Sequence, residues 1–210
     1  MLRIAAIHMR KSHSSIASLL LFLLLPVMGL LAIQGCEAPR GNTFSLDSTK
    51  VLEPRGELRD VLTWPLVTVG PVGKDLDAAS RSMIQERLQD GLVQKQFSPL
   101  SLDFVQGLVE QYGANEANAI RALAAAKADA VLILSIGEWD ESGLYTLGRI
   151  RAKGEIKLVD RKGQVRWGGN LKVDSTLVPS KARNASLEEK RRVAVERFAL
   201  ELARRLPSQF

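Results

Sequence analysis

Residues Ala130-Val-Leu-Ile-Leu-Ser-Ile136 form a run in which only Ser135 carries a polar side chain. A strand with one face in water alternates apolar and polar residues, so a run apolar on both faces must be covered on both. Seven residues suit a strand better than a helix, and the β-branched valine and isoleucines favour it further. The chain therefore needs helices on either side of a sheet with this segment at its centre. Leu76 to Lys95 offers one, with Met83, Ile84, Leu88 and Leu92 at helical spacing. Ser101 to Tyr112 offers a second, carrying Val105, Leu108, Val109 and Tyr112 and closed by Gly113, and Asn115 to Lys127 a third, alanine-rich, with Ile120, Leu123 and Ala124 on its inner face. Trp64 to Val69 reads as a first strand ended by Gly70-Pro71, and Phe97 to Leu100 as a short one that Pro99 confines to an edge or a strand end.

From Arg149 the alternation is strict. Ile150, Ala152, Gly154, Ile156 and Leu158 point one way, and Arg149, Arg151, Lys153, Glu155 and Lys157 the other, as in a half-buried strand. Asp160-Arg-Lys-Gly163 turns the chain, and Val165, Trp167, Leu171 and Val173 continue the buried row. Pairing Leu158 with Val165 and Ile156 with Trp167 keeps all four inward. Ser186-Leu-Glu-Glu189 is a capping box opening a helix with Val195, Phe198, Leu202 and Leu206 on one face. The expected fold is α/β on a mixed sheet of two or three layers, β-α-β-α-α-β followed by an antiparallel meander and a C-terminal helix.

The N-terminus speaks of location. Arg3, Arg10 and Lys11 precede the apolar run Ile16 to Ile33, the pattern of an export signal. Leu31-Ala-Ile-Gln-Gly-Cys36 resembles the lipobox of bacterial lipoproteins, which implies an acylated Cys36 at the head of the mature chain. Residues 1–35 are then a signal peptide, 36–60 a tether rich in Pro, Gly, Ser and Asn, and 61–210 one α/β domain. Several acyl chains hold a protein stably on a membrane, which one does not. Glu37 differs from the aspartate that retains lipoproteins in the inner membrane, which favours the outer membrane, facing the periplasm.

Processing would leave 175 residues with 26 basic and 23 acidic side chains, a net charge of +3 rather than the +6 of the whole chain. Nucleic-acid binding is not indicated at that charge. Both histidines, His8 and His13, leave with the signal, and Cys36 is the chain's single cysteine. Serine–histidine and cysteine–histidine catalysis and ordinary zinc sites are thereby excluded from the mature chain, and no cofactor is expected.

Ala128 to Trp139, Ile156 to Asp160 and Gly163 to Trp167 resemble the periplasmic lipoproteins first noted in Neisseria, whose domain is similar to the amino-terminal domain of TolB and to CsgG. That resemblance implies a non-catalytic interaction module of an envelope transport or assembly system. An activator of peptidoglycan synthases of the LpoB type is the nearest alternative.

Three candidate sites remain. Gly70-Pro-Val-Gly-Lys74 sits where a phosphate loop would, but Thr68 and Asp75 occupy the positions that need Gly and Ser or Thr. Glu138, Asp140 and Glu141 surround Trp139 at the end of the central strand; they could bind an ion or serve a carboxylate-dependent hydrolase, but read more simply as a solvated loop beside a packing tryptophan. Arg149, Arg151, Lys153, Lys157, Arg166 and Lys172, relieved by Glu155 and Asp174, make the polar face of the hairpin basic. This face is either a solvated surface that discourages edge aggregation or the contact for an anionic partner surface, lipid headgroups or a cell-wall polymer. The partners expected of the chain are the membrane through its lipid, an envelope protein or anionic cell-wall polymer, and a second copy in a homo-oligomer.

Overall fold

The computed structural model describes residues 41–51, 58–68 and 76–208. Along them run β1 (Thr43–Val51), β2 (Asp60–Thr63), β3 (Val67–Thr68), α1 (Ala78–Gln94), β4 (Ser98–Pro99), α2 (Leu102–Tyr112), α3 (Glu116–Ala126), β5 (Ala130–Asp140), α4 (Leu144–Leu147), β6 (Arg149–Asp160), β7 (Val165–Thr176) and α5 (Leu187–Arg205). A single 3₁₀ turn, Ser180–Ala182, precedes α5. One mixed sheet joins the strands in the order β1-β7-β6-β5-β2-β4, with β3 also beside β5. β2 and β3 lie parallel to β5, while β6, β7 and β1 follow antiparallel. This is the expected α/β class.

Both layer counts are realised, each in a different part of the sheet. One face is covered throughout by α1 and α5, whose Ile84, Leu88, Leu92, Val195, Phe198 and Leu202 pack with Leu132, Leu134, Ile156, Trp167 and Leu171. Among the described residues the other face is covered over β2, β3, β5 and the adjoining ends of β6 and β7, where Val105, Leu108, Ala119, Ala122 and Leu123 of α2 and α3 meet Leu62, Val67, Val131, Ile133, Val159 and Val165. On α3 the inward residues are thus the small Ala119 and Ala122 with Leu123, whereas Ile120 and Ala124 face outward. Alanines let the helix approach the strands closely. Four helices start on a side chain that accepts the exposed backbone N–H three residues on: Asp77, Ser101, Asn115 and Ser186.

Four expectations are corrected. The first strand is two short pieces, because Pro65 has no N–H to give the ladder; Trp64 makes the last bond of the first piece, its N–H donating to the Leu132 carbonyl at 3.0 Å. Part of the segment read as a tether is β1, which pairs with β7 from Thr43 opposite Asp174 to Val51 opposite Trp167. Phe44 and Leu46 of β1 pack on the core. The Arg205 guanidinium stands 4.4 Å from the Phe44 ring centroid and also donates to the Phe44 carbonyl at 3.0 Å. Two apolar residues among Thr, Ser and Asp are too faint a period to outweigh the loop-like composition around them.

The hairpin register is also displaced. Leu158 faces Trp167, and Ile156 faces Gly169. The shift is two residues, which preserves facing, so Ile156, Leu158 and Trp167 are all buried as expected. Between Leu158 and Val159 the register slips by a bulge, which turns Val165 to the α2/α3 side, where it packs with Val159. Asp160 anchors the turn, its carboxylate accepting the N–H groups of Lys162 and Gln164 at 2.9 Å each. Lastly, Glu138 and Asp140 belong to β5 rather than to a loop.

Candidate functional site: the open face of the sheet

Beyond the reach of α2 and α3, the sheet exposes the outward side chains of the end of β5, of β6, of β7 and of β1. A bulge at Gly137 makes this face what it is. The register passes from Ile136 opposite Gly154 directly to Glu138 opposite Lys153, so the extra residue inverts the alternation of β5. Trp139 thereby turns into the core, where its ring meets Phe198 edge-on at 5.1 Å, and Glu138 and Asp140 turn outward. Gly154 permits the close strand approach there: a Cβ on it would fall on the Ser135 carbonyl oxygen.

The inverted alternation sets the acidic and basic candidates opposite one another. Lys153 Nζ lies 2.5 Å from Glu138 Oε2, Arg151 Nη2 2.5 Å from Asp140 Oδ2, and Arg149 Nε 2.5 Å from Asp174 Oδ1. Lys157 reaches Glu116 at 2.8 Å and Glu155 at 3.0 Å, and Arg166 reaches Asp160 at 3.2 Å. Among the described residues, Lys172 is the member of the six without a carboxylate in ion-pair range; it stands opposite Lys153. The excess positive charge read from the hairpin alone is therefore offset by carboxylates from β5 and α3. Paired strands avoid facing like charges, and here the balance comes partly from Glu138, Asp140 and Glu116 outside the hairpin and partly from the hairpin's own Asp174, Asp160 and Glu155.

The pairing shows in the titration of individual groups. Hydrogen bonds from the Ser142 backbone and side chain hold Asp140 below its ordinary value against partial burial, and Arg151 adds to this. Burial works against the Lys157 ammonium, but its hydrogen bonds to Glu116 and Glu155 outweigh that and raise its pKa. For Asp160, burial is opposed by the Gln164 and Lys162 N–H groups and by Arg166, and the net direction is downward.

The acidic trio is not one site. Glu141 is buried, accepting the Trp139 indole N–H at 2.8 Å and Arg191 Nε at 2.7 Å, whereas Glu138 and Asp140 are on the open face. Among the described residues no three His, Cys, Asp or Glu side chains gather as metal ligands do. The open face thus offers ion pairs between neighbouring strands at the surface of the sheet. Cys36 and the Gly70 to Lys74 stretch lie outside the described residues.

Sequence reasoning missed Lys190. It is buried in α5, donating to the Tyr145 carbonyl at 2.9 Å and standing 4.7 Å from the Tyr145 ring centroid. A lysine one turn into an amphipathic helix gives no sign of this, since its acceptor is a backbone carbonyl of another element.

No protein-family model matches the chain, and no curated protein matches it. Among solved structures it is similar to PelC, a dodecamer from Paraburkholderia phytofirmans, at 16% identity, over 80% of this chain and 99% of that one, with a TM-score of 0.47. It is similar also to the lipoprotein GNA1162 of Neisseria meningitidis, at 19% identity over 67% of this chain and 98% of that one, TM-score 0.43. The LpoB C-terminal domain of Escherichia coli shares 18% identity over 55% of this chain and 82% of that domain, TM-score 0.39.

Proposed function

We propose that this chain is a lipoprotein of the bacterial outer membrane, acylated on Cys36, whose domain is a non-catalytic interaction module of an envelope transport or assembly system. The observation that carries the reading is the open half of the sheet, which among the described residues has no helix over its second face and whose cations, Lys172 excepted, are met by carboxylates. A surface of paired charges recognises a partner with a matching pattern by exchanging pairs. This favours an envelope protein over a polyanionic polymer, which would select an excess of positive charge. A carboxylate-dependent hydrolase needs two carboxyl groups addressing one substrate atom, whereas Glu138 and Asp140 are each engaged by a cation and Glu141 is buried behind Trp139.

The test uses a swap that keeps every pair. Exchanging Glu138 with Lys153 and Asp140 with Arg151 inverts the pattern while keeping both ion pairs, at the loss of the Asp140 acceptor for the Ser142 N–H, and circular dichroism checks that the swapped protein is folded. A photoreactive residue at position 172 should give a crosslinked adduct in intact membranes, and the swap should abolish it. An adduct unaffected by the swap would exclude the charge mosaic as the recognition surface. For the anchor, mass spectrometry should find an acylated Cys36 at the mature N-terminus, and Cys36→Ser should remove the modification and shift the protein from the membrane fraction or leave it unprocessed; an intact Met1 with a free Cys36 thiol would end the lipoprotein reading.

A further inference from the structure

Because β1 begins at Thr43, the chain between Cys36 and the sheet is short. The seven residues from Cys36 to Asn42 span about 25 Å when fully extended, far less than a tether running to residue 60 would allow. The end of the sheet where the chain enters is fixed by register: Thr43 lies opposite Asp174, and Asp174 opposite Arg151, which is opposite Asp140. Asn42 is tied to the same end, its side-chain oxygen accepting the Thr176 N–H at 2.9 Å. This is also the end at which α4 joins β5 to β6 and the 3₁₀ turn leads from β7 into α5.

Large apolar side chains are exposed at this end. Tyr145 is 67% exposed, Leu147 59% and Leu187 44%, the first two on α4 and the third at the start of α5. Lys190 joins them by holding the Tyr145 carbonyl and lying over its ring. Gly148, at a φ of 64°, closes α4 tightly against Val178, and the four-residue helix is held by Leu144 in the core while Tyr145 and Leu147 face outward. Lys181 and Arg183, in and just after the 3₁₀ turn between β7 and α5, are exposed, and among the described residues no carboxylate is in ion-pair range of either. The acids of the first turn of α5 are Glu188 and Glu189, and Glu189 is held by Arg192 at 2.7 Å.

We infer that this end of the domain docks on the phospholipid bilayer, with Tyr145 and Leu147 entering the interface and Lys181 and Arg183 meeting anionic headgroups. The inference rests on the acylation of Cys36 proposed above, because that anchor holds this end within about 25 Å of the bilayer. Exposed Tyr and Leu beside Lys and Arg are the side chains that settle at a membrane interface, the rings and aliphatic groups going about 5–10 Å into the headgroup boundary. The domain would then stand with its strands rising from the membrane and the open ion-paired face turned sideways, accessible to a partner.

The experiment uses the acylated full-length mature protein in vesicles of phosphatidylethanolamine and phosphatidylglycerol. Since the chain has a single cysteine and acylation blocks it, Leu147→Cys supplies one free thiol for a fluorescent label, and Lys162→Cys supplies a control in the turn at the opposite end. The label at 147 should shift to the blue and be quenched by nitroxide-bearing lipids, while the label at 162 should not. Adding Tyr145→Ser should reduce the quenching, and so should replacing phosphatidylglycerol by phosphatidylcholine. An unquenched, aqueous spectrum at 147 in protein shown by mass spectrometry to be acylated would overturn the docking and leave the anchor standing. A blue shift that ignores lipid quenchers and grows with protein density would mean that a second copy covers the patch, and would also overturn it. Label appearing on Cys36 would instead signal failure of the anchor, and the docking would fall with it.

Discussion

Among the described residues, the half of the sheet built on β2, β3 and the first part of β5 is covered on both faces, and the half built on β1 and most of β6 and β7 on only one. Both rest on the same α1/α5 layer. Where helices cover the second face, the strands carry Leu62, Val131 and Ile133; where they do not, the same face carries Glu138, Asp140, Arg151 and Lys153 in ion pairs. β5 belongs to both halves, and the bulge at Gly137 marks the crossing. The comparison teaches that stability and recognition are separated by region: burial supplies most of the free energy in the covered layers, and the uncovered face is free to vary its charges because exposed ion pairs contribute little.

The largest effects should come from the layer common to both halves. Trp167→Ala and Phe198→Ala remove side chains that are almost fully buried, 4% and 0% exposed, and each should cost about 3–5 kcal/mol in chemical denaturation. A loss below about 1 kcal/mol would place the residue outside the core. Leu123→Ala, confined to the doubly covered half, should cost about 2–5 kcal/mol. If it costs no more than a surface change, the α2/α3 layer is not a structural layer and the contrast between the halves disappears.

A smaller effect belongs to the turn that links β6 and β7. Asp160 has a folded-state pKa below its ordinary value, so its contribution is present above the pKa of the unfolded chain and is lost as pH falls through the lower folded value. Denaturation measured from pH 7 to 2 should be flat until the usual carboxylate range and then decline. Asp160→Asn should lower the plateau by about 1–3 kcal/mol, since a buried acceptor of two N–H groups and an arginine is weakened, and should flatten the acid limb. An unchanged limb would assign the acid sensitivity to other groups. Asp77, lowered by its hydrogen bonds from Ser80 at the start of α1, is the first to examine.

The smallest effect should be on the open face. A double-mutant cycle on Arg151 and Asp140 should give a coupling of about 0.2–1 kcal/mol, screened further by salt. A coupling of several kcal/mol would make the mosaic a structural device like the covered half, and would remove the reason for assigning it to recognition.

Much of this was legible in the chain. Seven consecutive residues apolar on both faces required a sheet between helices, and the strict alternation from Ile150 to Leu158 required a strand with one dry face. The capping box at Ser186 placed α5, whose cap bond from the Glu189 N–H to Ser186 Oγ is 3.2 Å. The charged face was half legible: its six cations and the relieving Glu155 and Asp174 could be named from the alternation of β6 and β7, but the partners Glu138 and Asp140 could not, because they face Lys153 and Arg151 only after a bulge inverts β5.

The sequence alone determined what depends on neighbours along the chain: the type and order of the main elements, which row of each long strand is apolar, and the single cysteine after an apolar run. Tertiary structure decided what depends on residues far apart. The two-residue displacement of the β6–β7 register leaves the same side chains inward, so periodicity cannot distinguish it. The strand Thr43–Val51 has too little apolar surface to announce itself, and forms because the edge of β7 and Arg205 are waiting for it. Charge balance on the open face is likewise a property of strand order, since Coulomb attraction acts over a few ångströms of space, and Glu116 and Lys157, 41 positions apart in the chain, stand 2.8 Å apart in the fold.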